Sequence, residues 1–158
     1  MSVKNKGFGG SDFESGSALA STDLNDTFNS TYRLVGEDQT EENISNSTVE
    51  EEIAEVVLQP NSIGSAIFVT ATGWYGVNTG DQKNIRIYFG PSTSGTANTL
   101  LKLITRNPAL GVSGGWAMIA RGTAGTTSVI NYVNVTGKNG EVHANADIAC
   151  ESLMVFAI

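Results

Sequence analysis

The sequence predicts a mainly β protein: an antiparallel β-sandwich, jelly-roll-like with about eight strands, preceded by an extended arm and one short helix. Three observations carry this. Gly, Ser, Thr and Asn supply 63 of 158 residues, a density of small polar residues that favours turns and strands over helices. From about residue 52 onward apolar residues recur with a period of two, in segments separated by turn chemistry. Charge also divides the chain. Residues 1–57 hold 12 acids and 3 bases, residues 58–158 hold 4 acids and 6 bases, and the formal net charge of −7 therefore belongs to the first third.

Residues 1–20 read as an extended docking arm. They are rich in Gly and Ser without apolar periodicity, and Phe8 and Phe13 are the anchors a docking peptide would bury; a flexible terminus is the competing reading. Residues 21–36 read as a short oligomerisation helix. Ser21 or Thr22 can cap it, and Asp23 and Asp26 stand in a first turn that favours acids. Leu24, Phe28, Thr31 and Val35 form a narrow apolar seam, and Gly36 stops the helix. Helix formers this mediocre need packing, against the β domain or against copies of the same helix.

Residues 37–51 read as a solvated acidic linker. Their carboxylates do not follow the spacing of a calcium loop. Residues 52–158 are the sandwich, with strands expected at 53–59, 65–72, 84–89, 99–106, 115–121, 128–136, 141–144 and 147–158. Several of these strands look apolar on both faces. Ile148, Cys150, Met154, Phe156 and Ile158 share one parity, and Leu153, Val155 and Ala157 share the other; Leu100 and Ile104 oppose Leu101 and Leu103 in the same way. A strand with two apolar faces calls for a second covering layer, so a homo-oligomer is expected.

Six dispersed bases beyond an acidic extension do not make a phosphate-binding surface, which excludes nucleic acid as the expected partner. No apolar run reaches bilayer length, so no membrane insertion is expected, and the N-terminus has no apolar signal-peptide core. A single Cys offers neither an intrachain disulfide nor a thiolate cluster. His143 and Cys150 are the candidate base and nucleophile, but Cys150 falls on an apolar strand face and reads as a core thiol. For glycoside hydrolysis the β domain offers Asp81, Glu141, Asp147 and Glu151; Asp147 and Glu151 share a parity yet lie about 13 Å apart on an extended strand. No catalytic residue, metal site or cofactor is therefore expected. Trp74 and Tyr75, with Asn78 and Asp81 beside them in a turn, are the candidates for glycan contact. The alternative is that Trp74 plugs one end of the sandwich. Trp116 opens an alternating strand with Met118 and Ala120 and reads as core.

The stretch ESGSALASTDLNDTFNSTY (residues 14–32) resembles a segment recurrent near the N-termini of tail-fibre and other virion appendage proteins of tailed bacterial viruses. The matching residues are Gly16, Leu19, Asp23, Leu24, Asn25 and Phe28. Residues 114–132, GGWAMIARGTAGTTSVINY, are similar to the β-sandwich tips of such fibres. The resemblance implies a non-enzymatic virion structural protein, usually trimeric, made in the host cytoplasm and carried on the virion surface. Its arm would dock on other virion proteins, its helical seam would associate around the threefold axis, and its sandwich would face outward toward a host cell-surface glycan. Tail fibre, receptor-binding tip and capsid decoration or head fibre all fit that description. From a different class, a carbohydrate-binding module built on Trp74 and Tyr75 is the alternative.

Overall fold

The computed structural model describes residues 4–6, 12–14, 32–45, 47–59, 66–76, 82–91, 98–108, 111–123, 130–142 and 146–158. In the arm, β1 (Lys4–Lys6) pairs antiparallel with β2 (Asp12–Glu14). Nine further strands build two antiparallel sheets. They are β3 (Arg33–Asp38), β4 (Glu42–Ser45), β5 (Glu51–Val57), β6 (Ala66–Tyr75), β7 (Lys83–Gly90), β8 (Thr99–Arg106), β9 (Gly114–Thr123), β10 (Tyr132–Asn139) and β11 (Ala146–Ala157). One sheet has the order β5-β10-β7-β8; the other has the order β3-β11-β6-β9, with β4 also paired to β11. From β4 onward the chain changes sheet at every step except β7 to β8. The result is a β-sandwich, and no helix occurs among the described residues.

Alternation sets the inward face of each strand. Along β9, Trp116, Met118 and Ala120 turn inward as their period of two predicts. Ile85 and Ile87 of β7, Val133 and Val135 of β10 and Val69 and Ala71 of β6 meet them in one cluster between the sheets.

The two-faced strands have a simpler origin than a second layer. On β11 the register against β6 shifts between Cys150 and Ser152, so Glu151 is an extra residue. A bulge of this kind flips the side-chain phase. Ile148 and Cys150 face the core before it, and Leu153 and Val155 face the same core after it. On β8 the register shift against β7 likewise brings Leu101 and Ile104 onto one core while Leu100 and Leu103 stay exposed. Much of the second apolar parity is therefore the first face with its phase reset.

Three sequence expectations need correction. The helix over 21–36 lies outside the described residues through 31, as do Leu24, Phe28 and Thr31; from Arg33 the chain is strand β3. Val35 packs on the sandwich core rather than in a helical seam. The edge of β11 supplies a backbone partner for residues whose helical propensity is weak. Gly36 is a close-approach glycine inside β3, since a Cβ there would run into the Val56 side chain. The acidic stretch 37–51 contains β4, which pairs with β11, and its Ile44 is fully buried in the core. Finally, Glu141 and Val142 lie outside any strand and are exposed.

Candidate functional site

Strands β6 and β10 end, and β7, β9 and β11 begin, at the same end of the sandwich. A cleft of about 370 Å³ opens there, lined by Trp74, Tyr75, Gly76, Ser113 and Gly114. Its position follows from the pairing of β6 with β9, which sets Tyr75 opposite Gly114 and Trp74 opposite Gly115. A Cβ on Gly114 would meet the Tyr75 hydroxyl, so glycine is what leaves room for that ring. Hydrogen bonds from Trp116 brace the scaffold behind the cleft. Trp116 Nε1 donates to the carbonyl oxygens of Trp74 (3.2 Å) and Ala149 (3.0 Å), and its indole lies over Gly73.

Asn78 and Asp81 lie outside the described residues, as do Phe8 and His143, and Phe13 falls in β2. The structure thus brings Trp74 and Tyr75 together at one cleft and is silent on the polar half of the expected glycan site. Cys150 sits in the core with Sγ 3.5 Å from the Thr72 carbonyl oxygen, and burial pushes its thiol up to about 12. That is the chemistry of a structural thiol, not of a nucleophilic thiolate. The expected carboxylate geometry does not hold either. Bulges at both ends of this stretch separate Asp147, fully buried, from Glu151, which is exposed.

Sequence reasoning missed the group that Asp147 belongs to. Lys83 and Asp147 form a buried ion pair between the two sheets, both side chains fully withdrawn from solvent. Lys83 occupies the inward position of β7 that precedes Ile85 and Ile87. Asn139 of β10 is its cross-strand partner, also fully buried. Neither Oδ1 nor Nδ2 of Asn139 has a hydrogen-bond partner among the described residues, which costs about 1–3 kcal/mol for a buried amide. The signal in the sequence was a lysine in phase with Ile85 and Ile87 and an aspartate next to Ile148, which reads as noise until the partner strands are known.

A second polar group covers the outer face of β5, β10 and β7. Asn134 donates to Glu52 (2.6 Å), Thr136 donates to Glu50 (2.6 Å), and Arg86 and Tyr88 each reach Glu50 at 3.0 Å. Tyr132 Oη lies 2.7 Å from Glu52 and 2.5 Å from Glu55. One extra residue in β5, Ile53, puts the carboxyls of Glu52 and Glu55 on this same face although they stand three positions apart. A phenol has one proton to donate, so both contacts are fully used when one carboxyl is protonated and donates to the phenol oxygen. Desolvation by burial raises Glu52 above the ordinary carboxylate value against the hydrogen bonds from Tyr132 and Asn134, and neighbouring Glu55 adds to the rise. A carboxyl raised on folding costs stability while it is ionised, and that cost fades as pH falls through its raised value toward the ordinary one. The Tm of the wild type is therefore expected to gain on that of Glu52→Gln as the buffer is taken from about pH 7 to about pH 4.5. A difference that stays constant across the titration rules out Glu52 as the group responsible.

Among the described residues, no group of three His, Cys, Asp or Glu side chains is placed to hold a metal ion. No helix among them is long and apolar enough to cross a membrane. No protein family and no curated protein matches the sequence. A solved chain from Bacillus endospore appendages, described as a novel family of disulfide-linked pili, is similar in structure with a TM-score of 0.40 and 16% identity, over 89% of this chain and 95% of that one.

Proposed function

We propose that this chain is a non-enzymatic structural subunit of a virion surface, a trimeric fibre, spike or capsid decoration protein of a tailed bacterial virus. The observation that carries the reading is the outer face of the β3-β11-β6-β9 sheet. Phe68 packs between Tyr32 and Phe156, with ring centroids 5.2 and 6.1 Å apart. Tyr32, Leu34 and Ile119 remain exposed around this row. An apolar sheet face of this kind suits burial against identical copies. The interleaved strand order supports a jelly roll, and the resemblance of residues 14–32 to appendage proteins supports the assignment to a virion. In this reading the arm attaches the subunit to other virion proteins and the sandwich faces outward. Light scattering on the full chain is expected to give the mass of a trimer, and Phe68→Glu with Phe156→Lys to shift it to monomer. A wild-type monomer at all concentrations overturns the reading.

The cleft at Trp74 and Tyr75 favours a second reading, a carbohydrate-binding sandwich acting alone or as the outward tip of the same subunit. Aromatic surface beside backbone polar groups is what a sugar face recognises. Trp74→Ala is expected to reduce glycan-array or cell-surface binding at least tenfold, equivalent to about 1.4 kcal/mol. Unchanged binding removes the cleft from consideration.

A further inference from the structure

We propose that Lys83 and Asn139 become joined by an intramolecular amide bond, with Asp147 carrying the protons. The inference starts from three buried polar side chains that hydrophobic packing alone does not account for. Lys83 and Asn139 are directly opposed on β7 and β10, so their side chains leave the sheet on the same face. That face is the core, because Ile85 and Ile87 continue the alternation of Lys83 along β7, and Val133 and Val135 lead in the same alternation to Asn139 on β10. Asp147 arrives from the facing sheet and pairs with Lys83 Nζ. A nucleophilic nitrogen, a carboxamide on the directly opposed residue and a proton-carrying carboxylate are thus gathered at one end of the core, each on a fully buried side chain.

The chemistry is an amide exchange that balances without any added reagent. Asp147 takes a proton from the Lys83 ammonium, which frees the Nζ lone pair. Nζ then attacks Cγ of Asn139, and Asp147 protonates Oδ1 as negative charge develops there. The next proton lost by Nζ passes through Asp147 to Nδ2. As the Cγ–Nδ2 bond breaks and the carbonyl re-forms, Asp147 takes back the Oδ1 proton and passes it to the departing ammonia, which leaves as ammonium. Nothing is oxidised or reduced, and Asp147 ends as it began. The unpartnered amide of Asn139 fits this role: no hydrogen bond among the described residues holds its Oδ1 or Nδ2 back from reaction. The bond would tie β7 to β10, so residues 84–138 could not be drawn out of the sandwich by tension on either end of the chain.

Mass spectrometry of the denatured full chain tests the proposal. The wild type is expected to be lighter than its sequence by one ammonia, about 17 Da, with trypsin failing to cut after Lys83 and one branched peptide joining Lys83 to Asn139. Asp147→Ala and Asn139→Ala are expected at full sequence mass with Lys83 cleavable. Because the wild type is read after denaturation, its result stands even if a variant does not fold. A loss of one water, about 18 Da, with Lys83 joined to Asp147 overturns the assignment of the partner. A full-mass wild type with Lys83 freely cleaved overturns the bond itself.

Discussion

Lys83→Met is expected to destabilise the sandwich by about 3–5 kcal/mol, because it leaves the Asp147 carboxyl group buried without the Lys83 nitrogen that it pairs with. Both side chains of the pair are fully enclosed. Water therefore cannot replace the lost partner without opening the end of the sandwich. Lys83→Met with Asp147→Leu is expected to recover much of the loss relative to the single variant, since two apolar side chains of similar volume carry no desolvation cost. Chemical denaturation of the two variants reads this directly. A single variant that costs less than about 1 kcal/mol shows that water reaches Asp147. The double variant forms no cross-link, so its recovery isolates the electrostatic part of the pair from any covalent part.

Trp116→Ala is expected to cost about 3–5 kcal/mol, the range for emptying a buried aromatic site. The indole is buried, and its nitrogen satisfies two carbonyl oxygens, those of Trp74 and Ala149. Gly73→Ala attacks the same joint from the other side, since a Cβ there would meet both the Trp116 ring and the Ala149 carbonyl oxygen. The two substitutions are expected to couple. Removing the indole relieves only part of the Gly73→Ala clash, because the Ala149 backbone remains in its path, so the double variant should be less unstable than the sum of the singles but not rescued. Strict additivity in urea unfolding would show that the indole does not rest on Gly73. The same joint holds Trp74 in place, so loss of glycan binding in Trp116→Ala would be an indirect effect of a displaced cleft.

How far the sequence could be read depended on whether the relevant physics was local. The strands of the sandwich were legible because alternation and turn residues are both written within a few positions. Strand 99–106 was expected with the bounds that β8 has, and Trp116 was expected in the core where it lies. The stretch 33–45 misled for the same reason. Its acids and spaced apolar residues resemble a helix end and a linker, while the actual determinant is a free edge on β11, more than a hundred residues away. Local propensity there is weak and a distant partner decides. The bulge at Glu151 was equally invisible, because an extra residue looks like a change of parity until the neighbouring strand supplies a register.

The candidate sites divide along the same line. Trp74 and Tyr75 could be named from their residue types and turn context, and the structure places them on one cleft. Lys83, Asn139 and Asp147 could not. Each is ordinary in its own segment, and only strand pairing across one sheet and packing against the other bring them together. What the sequence determined by itself was therefore the class: a low-charge, turn-rich β-sandwich with an acidic N-terminal third and one adjacent Trp–Tyr pair. Tertiary structure alone decided which polar groups lose their water. Burial of charge depends on contacts between segments far apart in the chain, and no periodicity within a segment records it.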